Sequence, residues 1–251
     1  MKVISVTNLK GGVAKTTIVY NLAGVLAERK KRVLLIDMDY QANLTTLFEG
    51  EDAPFESGAN IAKVLVESLP LASAIRETTI SGVFLVPADI DLAALDSRFQ
   101  NDLNAHFLLA ELLDSVRDRF DIVLIDCPPN LLLGTRMALV ASDAYLVPVG
   151  ADRFSMRAAM HVQQVADNIR KRANRELKLL GIVMTRVQAR RVTRDYVDLF
   201  RSRFTSKLLK TQIKERTAIQ EAATHGVPIT TYEPTGEGAE MFRALADEIK
   251  L

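Results

Sequence analysis

Lys10-Gly11-Gly12-Val13-Ala14-Lys15-Thr16-Thr17 sits between a short apolar run, Val3 to Thr7, and a helical stripe of Ile18, Leu22, Val25 and Leu26. A glycine-rich turn from a strand into a helix can aim backbone N–H groups at one point, and the helix start adds the positive end of its dipole. Both favour a bound phosphate. Lys15 is placed to reach terminal phosphates and the Thr16 hydroxyl to ligate Mg²⁺. A plain turn needs neither group. The generic spacing G-x-x-x-x-G-K-[ST] is not met, because its first glycine falls on Leu9 and its second on Ala14. The Ala14 methyl narrows the backbone conformations open to a tight loop.

Outward from this loop, apolar runs at Val33 to Ile36, Val83 to Val86, Ile122 to Ile125, Ala144 to Val149 and Leu179 to Met184 read as further strands. Most are continuous rather than alternating, as expected of parallel strands buried on both faces. Helical patterns lie between and after them: Ala158, Val162, Val165 and Ile169 form one stripe, and Met241, Leu245 and Ile249 another. Glu28-Arg29-Lys30-Lys31-Arg32 reads as the basic end of the first helix, and Glu51 to Asn60 as a loop. The alternation predicts an α/β fold: one doubly wound, mostly parallel sheet with helices on both faces, in a single domain over residues 1–251.

Composition narrows the function classes. With 48% apolar and 25% charged residues in 251, the chain is neither disordered nor collagen-like. Cys127 is the only cysteine and there are three histidines, which disfavours an internal disulfide, a zinc site or an iron–sulfur centre within one chain. Lys+Arg number 32 against 31 Asp+Glu, so any attraction to nucleic acid must come from local clustering. No apolar run approaches a membrane span and the N-terminus lacks a signal-peptide pattern, so a cytoplasmic location is expected.

Two acidic sites follow strands. Asp37-Met38-Asp39-Tyr40-Gln41-Ala42-Asn43 comes after the second strand, where carboxylates at the C-terminal edge of a parallel sheet face the ligand crevice. Asp37 and Asp39 can serve Mg²⁺ waters and an attacking water; alternatively they are turn and cap residues. Ile122-Val123-Leu124-Ile125-Asp126-Cys127-Pro128-Pro129 is an apolar strand delivering one carboxylate toward a magnesium shell, with prolines that stop the ladder.

Taken together, these segments resemble the ParA/MinD family of deviant Walker A ATPases, a P-loop NTPase fold. Lys10-Gly-Gly-Val-Ala-Lys-Thr-Thr is similar to the family's KGGxGKT motif, with Ala14 as a departure. Asp37 to Asn43 is similar to D-x-D-P-Q-x-N, with Tyr40 in place of proline. Asp126 to Thr135 resembles the second switch, and His225-Gly226-Val227-Pro228-Ile229 the H-G-x-P-[IV] element. The resemblance implies that Lys10, Gly11, Gly12, Val13, Ala14, Lys15, Thr16 and Thr17 hold ATP. It implies that Lys10 crosses a nucleotide-sandwich homodimer to the other subunit's ATP and that Asp39 positions the hydrolytic water. Thr16, Asp37 and Asp126 then serve Mg²⁺, and Thr185 and Arg186 lie where relatives contact adenine. Lys10, Lys15 and Asp39 are the expected catalytic set.

From Arg186 to Arg216 there are ten Lys/Arg and three acidic residues. Arg190, Arg191 and Arg194 cluster at a helix start, where cations oppose the dipole, and Arg201 and Arg203 lie near its end. This pattern fits phosphate-backbone contact with duplex DNA without base readout, or simply a solvated face. With the family resemblance, the expected function is an ATP-dependent dimerising switch that binds DNA non-specifically. A ParB-type centromere-binding partner would stimulate its slow hydrolysis to partition plasmid or chromosomal DNA, giving nucleoid association in the ATP state. The short start before the motif resembles the short ParA forms. Rival readings are ParA-like positioning of a protein cargo, a MinD-like membrane-associated ATPase, and a synthetase using the same loop. The end Ala246-Asp247-Glu248-Ile249-Lys250-Leu251 does not read as a basic amphipathic membrane tail, so no membrane is expected.

Overall fold

The computed structural model describes residues 1–50, 58–188 and 191–251, the side chain of Val192 excepted. Among them, eight strands form one sheet in the order β3-β4-β2-β5-β1-β6-β7-β8. The strands are β1 (Lys2–Val6), β2 (Val33–Asp37), β3 (Arg76–Glu77), β4 (Val83–Val86), β5 (Ile122–Asp126), β6 (Ala144–Val149), β7 (Lys178–Val187) and β8 (Leu208–Lys214). All neighbours are parallel except the short β3–β4 pair. The helices that cover the sheet before its centre closes are α1 (Lys15–Glu28), α2 (Asn43–Glu49), α3 (Ile61–Val66), α4 (Leu95–Arg98) and α5 (Leu108–Asp114). After β5 follow α6 (Leu133–Ala141), α7 (Arg153–Arg172), α8 (Arg191–Phe204), α9 (Thr217–Thr224), α10 (Ile229–Tyr232) and α11 (Glu237–Glu248).

The continuous apolar strands divide their residues between two faces, as the pleat requires. Ile4, Val6, Val33, Leu35, Ile122 and Leu124 join one core with α1, α9 and α11. Their neighbours Val3, Leu34, Ile36, Val123 and Ile125 join a second core with α3, α5 and α6. Val147, Val149, Ile182 and Met184 meet α7 and α8 in a third. This is the doubly wound, mostly parallel sheet that the sequence pattern predicts, with helices on both faces.

Two local readings change, and a third is not tested. α1 stops at Glu28, with Lys30 left-handed at φ 58°, so the basic run beyond it is a turn into β2 rather than a helix end. Glu51 to Ser57 of the expected loop lies outside the described residues. β8 carries no continuous apolar run and was invisible to that criterion. It is an edge strand, and where its register with β7 shifts, the carboxylate of Glu248 of α11 accepts from Lys210 N at 2.7 Å and Thr211 N at 2.8 Å.

β1 has β5 on one side and β6 on the other, and the chain winds away from it in both directions. The C-terminal edge at β1 is therefore the topological switch point, where such sheets open a ligand crevice.

Candidate nucleotide site

Val6, the last residue of β1, lies in register with Asp126 of β5, and Asp126 with Asp37 of β2. The chain leaves β1 through Asn8, whose Nδ2 donates to Pro148 O at 2.5 Å and whose Oδ1 accepts from Lys10 N at 3.0 Å. Gly12 (φ 71°) and Ala14 (φ 66°) then take left-handed conformations, and α1 starts at Lys15. At Gly12 the glycine removes the steric cost, whereas at Ala14 the Cβ retains it. Two residues at the end of β7 brace this loop. The Thr185 hydroxyl lies 3.1 Å from both Val13 O and Val149 O, and Arg186 Nη1 donates to Gly12 O at 3.2 Å.

A crevice of about 560 Å³ runs along this edge from Asp39, after β2, past Lys15, Thr16 and Pro129 to Arg186 and the β8 end at Ile213 to Arg216. That volume suits a nucleotide-sized ligand. Lys15 is 7% exposed, and its Nζ donates to Lys10 O at 3.4 Å. Burial lowers its pKa, against the opposing charges of Asp126 and Asp39. An ammonium so desolvated gains strongly from an arriving polyanion.

Thr16 Oγ1 donates to Asp126 Oδ2 at 2.6 Å, while Asp126 Oδ1 is buried with no hydrogen-bond partner. Burial, reinforced by the charge of Asp37, pushes the Asp126 carboxyl well above the usual carboxylate range. An unpartnered buried oxygen beside the hydroxyl of Thr16, which itself lines the crevice, fits Mg²⁺. No group of three or more His, Cys, Asp or Glu that could hold a metal occurs among the described residues. Mg²⁺ needs no such cage, since it takes one or two protein oxygens and fills its shell with phosphate and water.

Asp39 lines the crevice at 7% exposure, and its Oδ1 accepts from Gln41 N at 3.1 Å. Burial raises its pKa, while the Gln41 bond and Lys15 pull the other way. Asp37 behaves differently from the expectation that placed it in the metal shell. It is fully buried, and Oδ2 accepts from Thr45 N at 2.9 Å and Thr45 Oγ1 at 2.8 Å, while Oδ1 accepts from Asp39 N at 3.1 Å. Both oxygens anchor the turn and the start of α2. Burial raises its pKa to about 6 despite those donors.

Lys10 does not line this crevice. Its Nζ donates to Asp152 Oδ2 at 2.7 Å and to Ser155 Oγ at 3.4 Å, and it lines a neighbouring cavity of about 510 Å³ with Gly150, Asp152 and Gln188. Asp152 and Ser155 gave no sequence signal, because the head of α7 lies 142 residues from Lys10. Thr185 was expected at adenine, but its side chain is fully buried under the loop and cannot reach a ligand. Arg186 does line the crevice.

Of the basic cluster, Arg190 lies outside the described residues. Arg191, Arg194, Arg201 and Arg203 are exposed on α8. By helical geometry Arg191, Arg194 and Arg201 fall within about 80° of one another, and Arg203 lies about 160° from Arg201. Arg203 is thus on the other flank, and Arg201 pairs with Asp198 at 3.4 Å. Among the described residues, no helix is long and apolar enough to cross a membrane.

Residues 1–179 match a family described as an AAA domain. The chain is 33% identical over 249 residues to the sporulation initiation inhibitor protein Soj of Bacillus subtilis, covering 99% of this chain and 98% of Soj. It is 30% identical over 250 residues to the chromosome partitioning protein ParA of Myxococcus xanthus, covering 99% and 87%. Among solved structures, cobyrinic acid a,c-diamide synthase of Mycobacterium smegmatis, with bound ADP and magnesium, superposes at a TM-score of 0.85. The two share 28% identity over 98% of this chain and 93% of that one. The buried lysine, the Thr16–Asp126 pair and the second lysine on one loop thus sit in a chain that aligns with Soj and ParA almost end to end, and it belongs to the ParA/MinD family of P-loop ATPases.

Proposed function

We propose that this chain, as one ATPase domain over residues 1–251, is an ATP- and Mg²⁺-dependent dimerising switch. The observation that carries this reading is the division of labour between two lysines of one loop. Lys15 faces the crevice, whereas Lys10 is turned out of it toward Asp152. A lysine that does not serve its own crevice is available to a second subunit docked over the loop. Leu132 (51% exposed) and Phe154 (72% exposed) lie close in sequence to Pro129 of the crevice and Asp152 of the neighbouring cavity, and are apolar side chains for a docked copy to cover.

In this reading, Gly11 to Thr17 and Arg186 hold the nucleotide, and Lys15 meets the terminal phosphates. Thr16 Oγ1 and Asp126 hold Mg²⁺, which neutralises phosphate charge. Lys10 completes the partner's site, and Asp39 orients the attacking water. The closed dimer presents Arg191 and Arg194 of both subunits to duplex DNA, without base readout. A ParB-type partner accelerates an otherwise slow hydrolysis, and the dimer releases. The likeness to Soj and ParA supports a task in plasmid or chromosome partition, in the cytoplasm and on the nucleoid.

The test is binding of pure protein to random-sequence duplex DNA with ATP, ADP or no nucleotide at two salt concentrations. Binding that needs ATP, falls with salt and is lost in Lys15→Ala supports the switch. ATP binding without DNA binding in any state removes the DNA surface and points to a protein or membrane platform.

A further inference from the structure

We propose that Thr185 is a positioning residue whose buried hydroxyl sets the phosphate-facing conformation of the loop. The inference rests on the reading that the crevice takes Mg²⁺-ATP. Thr185 is fully buried, and its Oγ1 lies 3.1 Å from the carbonyl oxygens of Val13 and Val149. A hydroxyl has one proton to give, so the two carbonyls share it. In a planar trans peptide, the carbonyl and the N–H of one unit point in opposite directions. Holding Val13 O down against β7 therefore turns the Ala14 N–H up, toward the crevice that Ala14 lines. That N–H has no acceptor among the described residues.

The hold matters more here than in a glycine loop. Ala14 sits at φ 66°, which its Cβ resists, so the peptide must be kept in place from outside. The second carbonyl extends the effect. Val149 ends β6, and the chain reaches Asp152, the partner of Lys10, three residues later. One hydroxyl thus ties the loop to the turn that carries Asp152.

The test compares Thr185→Val, which keeps shape and removes the proton, with Thr185→Ser, which keeps the hydroxyl. Phe242→Leu, on the buried face of α11, serves as a control for general destabilisation. Mg²⁺-ATP affinity is measured by titration with a fluorescent ATP analogue, alongside Tm without nucleotide. Thr185→Val is expected to bind on the order of tenfold more weakly, through loss of a hydrogen bond to two buried carbonyls. Thr185→Ser is expected near wild type, and Phe242→Leu to lose Tm without losing affinity. Should Thr185→Val not fold, Thr185→Cys, a weaker donor, takes its place with a smaller loss in the same direction. Wild-type affinity in the Val variant, or equal weakening in Phe242→Leu, overturns the assignment. Absence of nucleotide binding in the wild-type protein instead overturns the functional reading and this inference with it.

Discussion

Lys10 Nζ lies 2.7 Å from Asp152 Oδ2, so the loop's second lysine is bound to the head of α7 in its own subunit. Burial tends to raise the Asp152 carboxyl, but hydrogen bonds from Lys10 and Ser155 hold it below its ordinary range. Both side chains are more than a third exposed, at 38% and 34%, so solvent screens the pair to roughly 1 kcal/mol or less. An ion pair of that size can be exchanged for a phosphate.

Asp152→Asn tests this exchange. The amide oxygen can keep the α7 cap to Phe154 N and Ser155 N, while the charge holding Lys10 is lost. ATP-dependent self-association is expected to tighten by roughly two- to fivefold, the scale of an exposed ion pair. Sedimentation velocity with ATP and with ADP reads this directly; weaker association would show that Asp152 supports the dimer instead.

Lys15→Ala is expected to lose measurable Mg²⁺-ATP binding, since the crevice loses its most buried cation. Asp39→Ala is expected to bind ATP and DNA but to hydrolyse on the order of a hundredfold more slowly. Full turnover by Asp39→Ala in a phosphate-release assay would remove its assigned role.

Ala14→Gly is expected to stabilise the nucleotide-free protein. Relief of the left-handed alanine is worth about 1–2 kcal/mol, against about 0.5–1 kcal/mol of added chain entropy. The net gain of up to about 1.5 kcal/mol corresponds to a Tm rise of up to roughly 6 °C for a domain of this size. A lower Tm would mean that the methyl contributes packing that outweighs the strain.

Asp37 and Asp126 make stability depend on pH in the protein free of Mg²⁺ and nucleotide. Both carboxyls are raised in the folded state, Asp37 from 3.8 to about 6. The folded form therefore binds more protons than the unfolded form across that window, and stability falls as pH rises through it. Tm is expected to decrease from pH 5 toward pH 7 in EDTA. Asp126→Asn should flatten that slope; an unchanged slope would place its cause elsewhere.

Arg191→Ala/Arg194→Ala is expected to weaken DNA binding and to reduce the salt slope by about four per dimer, one for each phosphate no longer neutralised across the two subunits. Arg203→Ala, on the opposite flank of α8, should leave both unchanged. Equal effects would indicate a diffuse field rather than a surface.

Residues close together in the chain fixed a large part of this protein. Lys15 and Thr16 at the start of α1, Asp39 just beyond β2 and Asp126 at the end of β5 were legible because a strand ending in a polar residue carries its own address at the edge of a parallel sheet. The two-faced sheet was legible because continuous apolar strands must bury both sides. Tertiary structure alone decided what long-range pairing decides. It turned Lys10 toward Asp152, put the Thr185 hydroxyl beneath the loop rather than at the ligand, and confined Asp37 to the turn before α2. It also made β8 a strand, by pairing it with β7. None of these pairings leaves a mark on local sequence, because a hydrogen bond depends on where two backbones meet after folding and not on the residues that flank either one.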